Sequence, residues 1–341
     1  MSQKIRFAII GYGHVGKRHA EMVRNNPNSE LMAICDIKPA DEIGADNITE
    51  RFFNSYQDLI DAKLNIDVIN ICVPNGLHTD YTIMALEHNK HVVVEKPIAL
   101  TRHDAELMVI KSQEVARHVF CVMQNRYSPP SKWLKEIVSN KIIGDTLIVQ
   151  LNCYWNRDSR YYTKGNWHGT ADLDGGTLFT QFSHFIDLMY WLFGDITNIQ
   201  GKFRDFTHKG LTDFEDSGLV NFDFVNGGIG SLNYSTAIKE KNFESSITIV
   251  GSKGTVKVAG QYMNRVEYCE IENYHIPDLE PTQAANDYGA YQGSAQNHNR
   301  VIENVINKLQ NKDDISTNVL EGMKVVDIIE RIYQVRDKQG Y

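Results

Sequence analysis

Cysteine is scarce and scattered: the five residues, at positions 35, 72, 121, 153 and 269, are odd in number and form neither a C-x-x-C pair nor a close cluster. That spacing excludes a disulfide framework and supplies no metal-ligand set, so no metal is expected. Basic runs are missing as well. With 35 Lys plus Arg against 43 Asp plus Glu the formal charge is −8, and no dense Lys/Arg block interrupts it, so nucleic acid is not an expected partner. Any anionic ligand must then be met by a local group of cations. Long apolar runs are also lacking. The opening stretch M-S-Q-K-I-R-F-A-I-I-G starts basic, but its apolar run closes at Gly11, too soon for a secretory core or a membrane span. The expected compartment is the cytoplasm, with no membrane as partner. Eight Pro and 24 Gly fall far below collagen-like or low-complexity composition. What is present, 42% apolar and 23% charged residues over 341 positions, suits a folded chain of about two domains at roughly 150 residues each.

Short apolar, β-favouring runs recur through the first third. Lys4 to Ile10, Glu30 to Asp36, Asp67 to Val73, His91 to Glu95 and Val119 to Met123 each suit a strand covered on both faces. Between them 14–25, 78–88 and 101–117 read as helices, the last opened by a Thr101/Asp104 capping pair. This alternation predicts an α/β Rossmann domain over 1–123, with a parallel, doubly wound sheet. After Pro129 and Pro130 the rhythm changes. Runs at 147–155, 196–206, 216–224, 228–234, 246–250 and 254–259, separated by Gly, Asn and Asp, predict a mostly antiparallel open sheet in an α+β domain over 124–341. Helical spacing returns at 180–193, 294–310 and 319–338.

Gly11-Tyr12-Gly13-His14-Val15-Gly16 fits G-x-G-x-x-G between the first strand and the first helix, and Asp36 closes the next strand 20 residues beyond Gly16. Such a turn brings backbone close to a pyrophosphate at the helix N-terminus, while the acid accepts hydrogen bonds from a ribose diol. A carboxylate at position 36 repels a 2′-phosphate, so NAD is expected over NADP; Lys38 alone argues the other way.

Further on stand V-P-N-G-L-H at 73–78, E-K-P at 95–97 and a G-G pair leading to Ser183-His184. By these residues the chain resembles, over nearly its full length, the oxidoreductases typified by glucose-fructose oxidoreductase and inositol dehydrogenase. The resemblance implies a cofactor border at Pro74, Asn75, His78 and Glu95, a catalytic Lys96 and an opposed catalytic His184. His78 reads equally as an ordinary helix-start residue. Lys96 has a case of its own, because it follows a buried V-V-V strand and so projects at the carboxyl edge where open α/β sheets bind ligands, with Pro97 restraining its backbone. The wider family usually carries Asp four residues before the histidine, whereas this chain has Thr180. That departure points to a subgroup. Q-N-R at 124–126, Y-W-N-R at 154–157, D-G-G-T-L-F-T-Q-F-S-H-F-I-D at 174–187 and S-I-T-I-V-G-S-K-G-T-V at 246–256 are similar to the UDP-N-acetyl-2-amino-2-deoxyglucuronate 3-dehydrogenases of surface-polysaccharide biosynthesis.

A substrate of that class brings a diphosphate, a carboxylate, a flat base and hydroxyls. Arg157, Arg160 and Lys164 beside Tyr161, Tyr162 and Trp167 suit forked anion recognition and stacking; the same stretch also reads as an exposed loop with incidental charges. Asn125, Arg126, Thr180 and Gln181 complete the expected substrate set; the resemblance places Trp167 and His168 at the nicotinamide end, and Gln124 is expected among the cofactor-binding residues. Thr180, Gln181, His184 and Asp187 share one helix face. The expected reaction is hydride transfer from sugar C3 to NAD, with His184 suited to take the proton near neutral pH and Lys96 steadying the oxyanion. Which of the two is the formal base stays open. Two other readings remain, a sugar or inositol dehydrogenase of the same family acting on a small polyol, and a non-catalytic NAD-binding regulator. An exposed sheet face in the second domain is the expected surface for a homodimer or homotetramer.

Overall fold

The computed structural model describes residues 3–289 and 291–339. The chain forms two compact units, one running to Met123 and including His298–Val326, the other Gln124–Asn297 with the chain from Asp327 on. The first boundary lies a few residues before Pro129 and Pro130. The return of His298–Val326 to the first unit is a feature that a single cut at 124 does not contain.

In the first unit the apolar runs become β1 (Ile5–Ile10), β2 (Ser29–Cys35), β3 (Arg51–Phe53), β4 (Val68–Ile71), β5 (His91–Val94) and β6 (Val119–Cys121), with α1 (His14–Asn25), α2 (Tyr56–Asp61), α3 (His78–Glu87) and α4 (Arg102–Glu114) between them. All pairs are parallel, in the order β3-β2-β1-β4-β5-β6. β4 is buried at every position and β5 at three of four, as expected of strands covered on both faces. Strand order reverses between β1 and β4, which pair up to Ile10 and Ile71, so the turns after these two strands flank the switch point where such sheets bind ligands. Thr101 caps α4 by accepting the Asp104 N–H at 3.1 Å.

The second unit contains α5 (Pro129–Ser139), β7 (Thr146–Tyr154), α6 (Ser183–Phe193), β8 (Ile196–Arg204), β9 (Ser217–Phe224), β10 (Ile229–Ser235), β11 (Glu244–Gly251), β12 (Gly254–Ala259), β13 (Arg265–Ile271) and the short pair β14 (Ala285–Asp287) and β15 (Gln292–Ala295). Its large sheet runs β13-β12-β11-β7-β10-β9-β8, antiparallel except for the β7/β10 pair. Period-two alternation buries Val149, Leu151, Val220, Leu232, Ile247 and Ile249 and leaves Ile148, Leu219, Ile229 and Tyr268 about half exposed. A depression of about 350 Å³ lies on that outer side, lined by Ile148, Asn221, Ile229 and their neighbours, and it contains none of the expected site residues. Two features differ from the sequence reading. α5, absent from the sequence reading, opens on Pro129 and Pro130, because proline's fixed φ and missing N–H suit a first helical turn. β13 carries alternating charge at a sheet edge, which blunts strand pairing and hides it from an apolar-run criterion.

Two further helices follow, α7 (His298–Leu309) and α8 (Val319–Asp337). α7 buries Val301, Ile302, Val305 and Ile306 and packs against α1 in the first unit. Helical spacing fixes its apolar face but not which core receives it. No described helix is long and apolar enough to cross a membrane.

Candidate active site

The glycine turn has the shape its sequence demands. Gly11 stands at φ +87°, and a Cβ there would lie 2.5 Å from the Cys72 carbonyl oxygen. At Gly16 a Cβ would come within 1.9 Å of the Gly11 oxygen, whereas at Gly13 it would meet nothing within 4 Å. Two glycines therefore allow the helix to press on the turn, and the third leaves an open flank where a pyrophosphate can approach backbone. Gly13 caps α1 without a side-chain hydrogen bond, and the first helical turn, starting His14-Val15-Gly16, carries no acid. Such a terminus favours an anion. Asp36 accepts the Tyr12 N–H at 2.7 Å and the Lys38 N–H at 2.9 Å, one on each oxygen, leaving lone pairs for a ribose diol. These residues fit a dinucleotide.

Pro74 and Asn75 follow β4 and enter a short 3₁₀ turn before α3. His78 is 1% exposed, and its ring nitrogens lie 2.6 Å from the Pro97 oxygen and 2.9 Å from the Val73 oxygen. It thus ties the turn after β4 to the turn after β5. Burial lowers its pKa against the pull of both carbonyls. The Lys96–Pro97 peptide is cis, and Lys96 is partly exposed at the carboxyl end of β5. Beside it Glu95 is nearly buried; one oxygen lies 2.9 Å from His19 Nε2, and the other accepts the Lys96 backbone N–H at 3.2 Å. Burial pushes the Glu95 carboxyl up, but His19 above all holds it down, to about 2.

In the second unit His184 sits in the first turn of α6, 3% exposed. The chain enters α6 through a π-helical turn, Leu178–Phe182, a device common at functional sites. His184 Nε2 lies 3.1 Å from the Gln124 amide nitrogen, which also reaches Ser294 Oγ at 3.2 Å. Gln124 therefore faces the histidine. Thr180, standing where an acid was expected, hydrogen-bonds the buried Asp174 carboxylate. The helix face thus carries a hydroxyl backed by an acid in place of an acid. Trp167 and His168 stack at 3.9 Å, and His168 meets the Tyr161 ring edge-on at 4.4 Å.

The three candidate arginines have different surroundings. Arg126 forks onto Asp187 at 2.6 and 2.8 Å, both residues buried, so its charge is met within the protein. Arg160 is exposed and paired with Asp158. Arg157 is 2% exposed, and its hydrogen bonds go to Gln181 Oε1 at 2.7 Å, Asn242 Oδ1 at 3.1 Å, Gln292 O at 3.0 Å and Asn156 O. All are neutral. Trp155, Tyr161 and Tyr291 surround its guanidinium at 4.9 to 5.1 Å, and Gln181 donates onward to the Tyr161 hydroxyl at 3.0 Å. Burial lowers its pKa. Asn125 is 2% exposed, and neither of its side-chain polar atoms finds a partner among the described residues.

Several of these residues had no sequence signal of their own. Ser294, Tyr291 and Gln292 come from the β15 region, far along the chain from the groups they touch. Asp174 was marked only by the Gly175-Gly176 pair that follows it.

Known proteins share this architecture. Residues 5–122 match the model of an oxidoreductase family with an NAD-binding Rossmann fold, GFO/IDH/MocA, and residues 132–257 match the model of its C-terminal domain. The WlbA dehydrogenase of Chromobacterium violaceum, solved in complex with NADH and UDP-GlcNAcA, is similar over 99% of this chain and 95% of that one, with a TM-score of 0.88 and 30% identity. The Bordetella pertussis WlbA dehydrogenase, in complex with the same two molecules, gives a TM-score of 0.85 and 30% identity over 98% of both chains. D-glucoside 3-dehydrogenase of Escherichia coli K12 is 26% identical over 98% of this chain and 95% of its own length.

Proposed function

The chain belongs to the GFO/IDH/MocA oxidoreductase family, and from that premise we propose that it oxidises C3 of a UDP-linked N-acetylglucosaminuronate to the 3-keto sugar. The observation that carries this reading is the buried Arg157 guanidinium, enclosed by aromatic rings and bonded, among the described residues, to neutral oxygens. A buried cation without a carboxylate is costly and suits a site that receives an anion, and the proposed substrate brings both a carboxylate and a diphosphate. Asn125, with both amide atoms unmet, offers a donor and an acceptor to the sugar. Tyr161 and Gln181 hold Arg157 in place. Arg126, already matched by Asp187, orders the helix that carries His184.

Bound NAD supplies the hydride acceptor. Gly11, Gly13 and Gly16 let its pyrophosphate approach the first turn of α1, and Asp36 takes the ribose diol. The sugar hydroxyl must lose its proton as the hydride leaves; His184 accepts it at Nε2, the nitrogen that the Gln124 amide faces at 3.1 Å. Lys96, an ammonium at the end of β5, hydrogen-bonds the developing oxyanion. Five free thiols suit a reducing compartment such as the cytoplasm. The partly apolar outer side of the large sheet is the surface on which copies of the chain associate.

The test is to incubate the purified protein with NAD and UDP-N-acetylglucosaminuronate, following NADH absorbance and product mass. Appearance of NADH together with a product lighter by two hydrogens supports the reading. Turnover of free inositol or a simple glucoside, with the UDP-sugar inert, overturns the substrate. Tight NAD binding without turnover of any of these identifies a sensor instead.

A further inference from the structure

We propose that His19 is a positioning residue for the lysine chemistry: pinned between Asn70 and Glu95, its ring holds the carboxylate that accepts the Lys96 backbone N–H. The inference rests on the reading of Lys96 as catalytic.

His19 lies on α1, six residues beyond Gly13, and is 1% exposed. Nε2 faces Glu95 Oε1 at 2.9 Å and Nδ1 faces the Asn70 amide at 3.0 Å. His298, the first residue of α7, places its Nε2 3.7 Å from the same Glu95 oxygen and sets its ring edge-on to His19. The other groups acting on the cluster are Cys72, just after β4, with the Arg18 and Lys96 charges. Burial opposes a charge on the His19 ring, yet Cys72 and Glu95 outweigh it and raise its pKa. Burial also pushes the Cys72 thiol up, against the pull of His19, and Glu95 is the carboxylate that faces the ring at 2.9 Å. Burial drives His298 down to about 3, so it stays uncharged. One imidazolium and one carboxylate result.

Asn70 holds the other side of the ring, its amide nitrogen lying 3.0 Å from Nδ1. The nearest donor atoms of His19, Glu95 and His298 lie within 4.8 Å of one another, a set that could hold a metal ion. Both His19 nitrogens are already engaged, so a proton closes the cluster. The ion pair joins the helix that begins at the glycine turn to the strand end that carries Lys96, within one unit. Removing the imidazolium frees the Glu95 carboxylate to draw on the Lys96 ammonium and to release the lysine's backbone.

The experiment uses the full-length protein with NAD and the UDP-sugar. Lys96→Ala should abolish turnover while NAD still binds; retained turnover would refute the lysine reading, and the His19 measurement below would still judge the ion pair. His19→Gln is expected to lower kcat about 10- to 100-fold, leave the NAD Kd within about threefold, and move the Lys96 limb of the kcat/KM profile to higher pH by about one unit. Glu95→Gln in the same background should bring that limb back. In the unaltered enzyme, nitrogen-15 resonances of the His19 ring, assigned by their loss in H19Q, should remain those of an imidazolium at pH 8. A His19 ring titrating near pH 6.5, a lowered Tm in H19Q with kcat and the pH profile unmoved, or a stoichiometric metal ion in the purified enzyme would each overturn the proposal.

Discussion

Arg157, Arg126 and Arg160 all lie near the motifs of the site, but only their surroundings separate their roles. Replacing Arg157 by Lys keeps a charge and loses the planar fork. The expected result is a KM for the UDP-sugar raised roughly 10- to 100-fold, the worth of one or two charged hydrogen bonds at about 1.5–3 kcal/mol, with the NAD Kd unchanged by calorimetry. Arg126 belongs to stability instead. Arg126→Met leaves Asp187 as a buried anion without its partner and should cost about 3–5 kcal/mol in urea unfolding, whereas adding Asp187→Leu should recover most of it. The sequence carried the residue types of these arginines and their clustering. It did not carry their partners, since the fork between Arg126 and Asp187 spans 61 positions and the contact from Gln124 to Ser294 spans 170. His19 escaped notice for the same reason: an inward-facing residue of a helix gains meaning only when Glu95, 76 residues on, is folded against it.

At the scale of single elements, local rules served well. Alternation of short apolar runs with helical spacing made the parallel sheet legible, because its central strands β1, β4, β5 and β6 are largely buried on both faces and each helix is local. The Thr101 cap is a direct instance, and Thr101→Ala should cost about 1 kcal/mol in chemical unfolding. Charged edge strands such as β13 and the proline-opened α5 broke the rules for the physical reasons given above. The β5/β6 pair adds a pH dependence. His118 donates its backbone N–H to His91 Nδ1 at 3.0 Å, so that nitrogen must be bare; burial chiefly, with the neighbouring His118 and Arg117 charges, pushes His91 down to about 4. The unfolded ring titrates near 6.5. Between those values the unfolded chain binds the proton and the native one does not, so stability is full above about pH 6.5 and falls as the pH drops toward 4. The site's partial exposure limits the loss to about 2 kcal/mol. Unfolding curves at pH 7 and pH 4.5 measure it, and His91→Gln should narrow the difference between them.

For the molecule as a whole, the outer side of the seven-stranded sheet displays Leu219, Ile229, Ile148 and Tyr268, each about half exposed, among polar residues such as Asn221 and Ser231. Light scattering should give a mass that is a multiple of the 38.9 kDa chain, and Leu219→Glu with Ile229→Glu should reduce it to a single chain without changing NAD affinity.

The return of α7 to the first unit has a consequence for biosynthesis. A ribosome delivers all six strands of the nucleotide-binding sheet early, but the helix that covers α1 and brings His298 to Glu95 emerges only after the entire second sheet has been translated. The nascent amino-terminal half must wait with one side uncovered, exposed to chaperones and proteases, and a message cut short before the codon for His298 would yield a half that never closes.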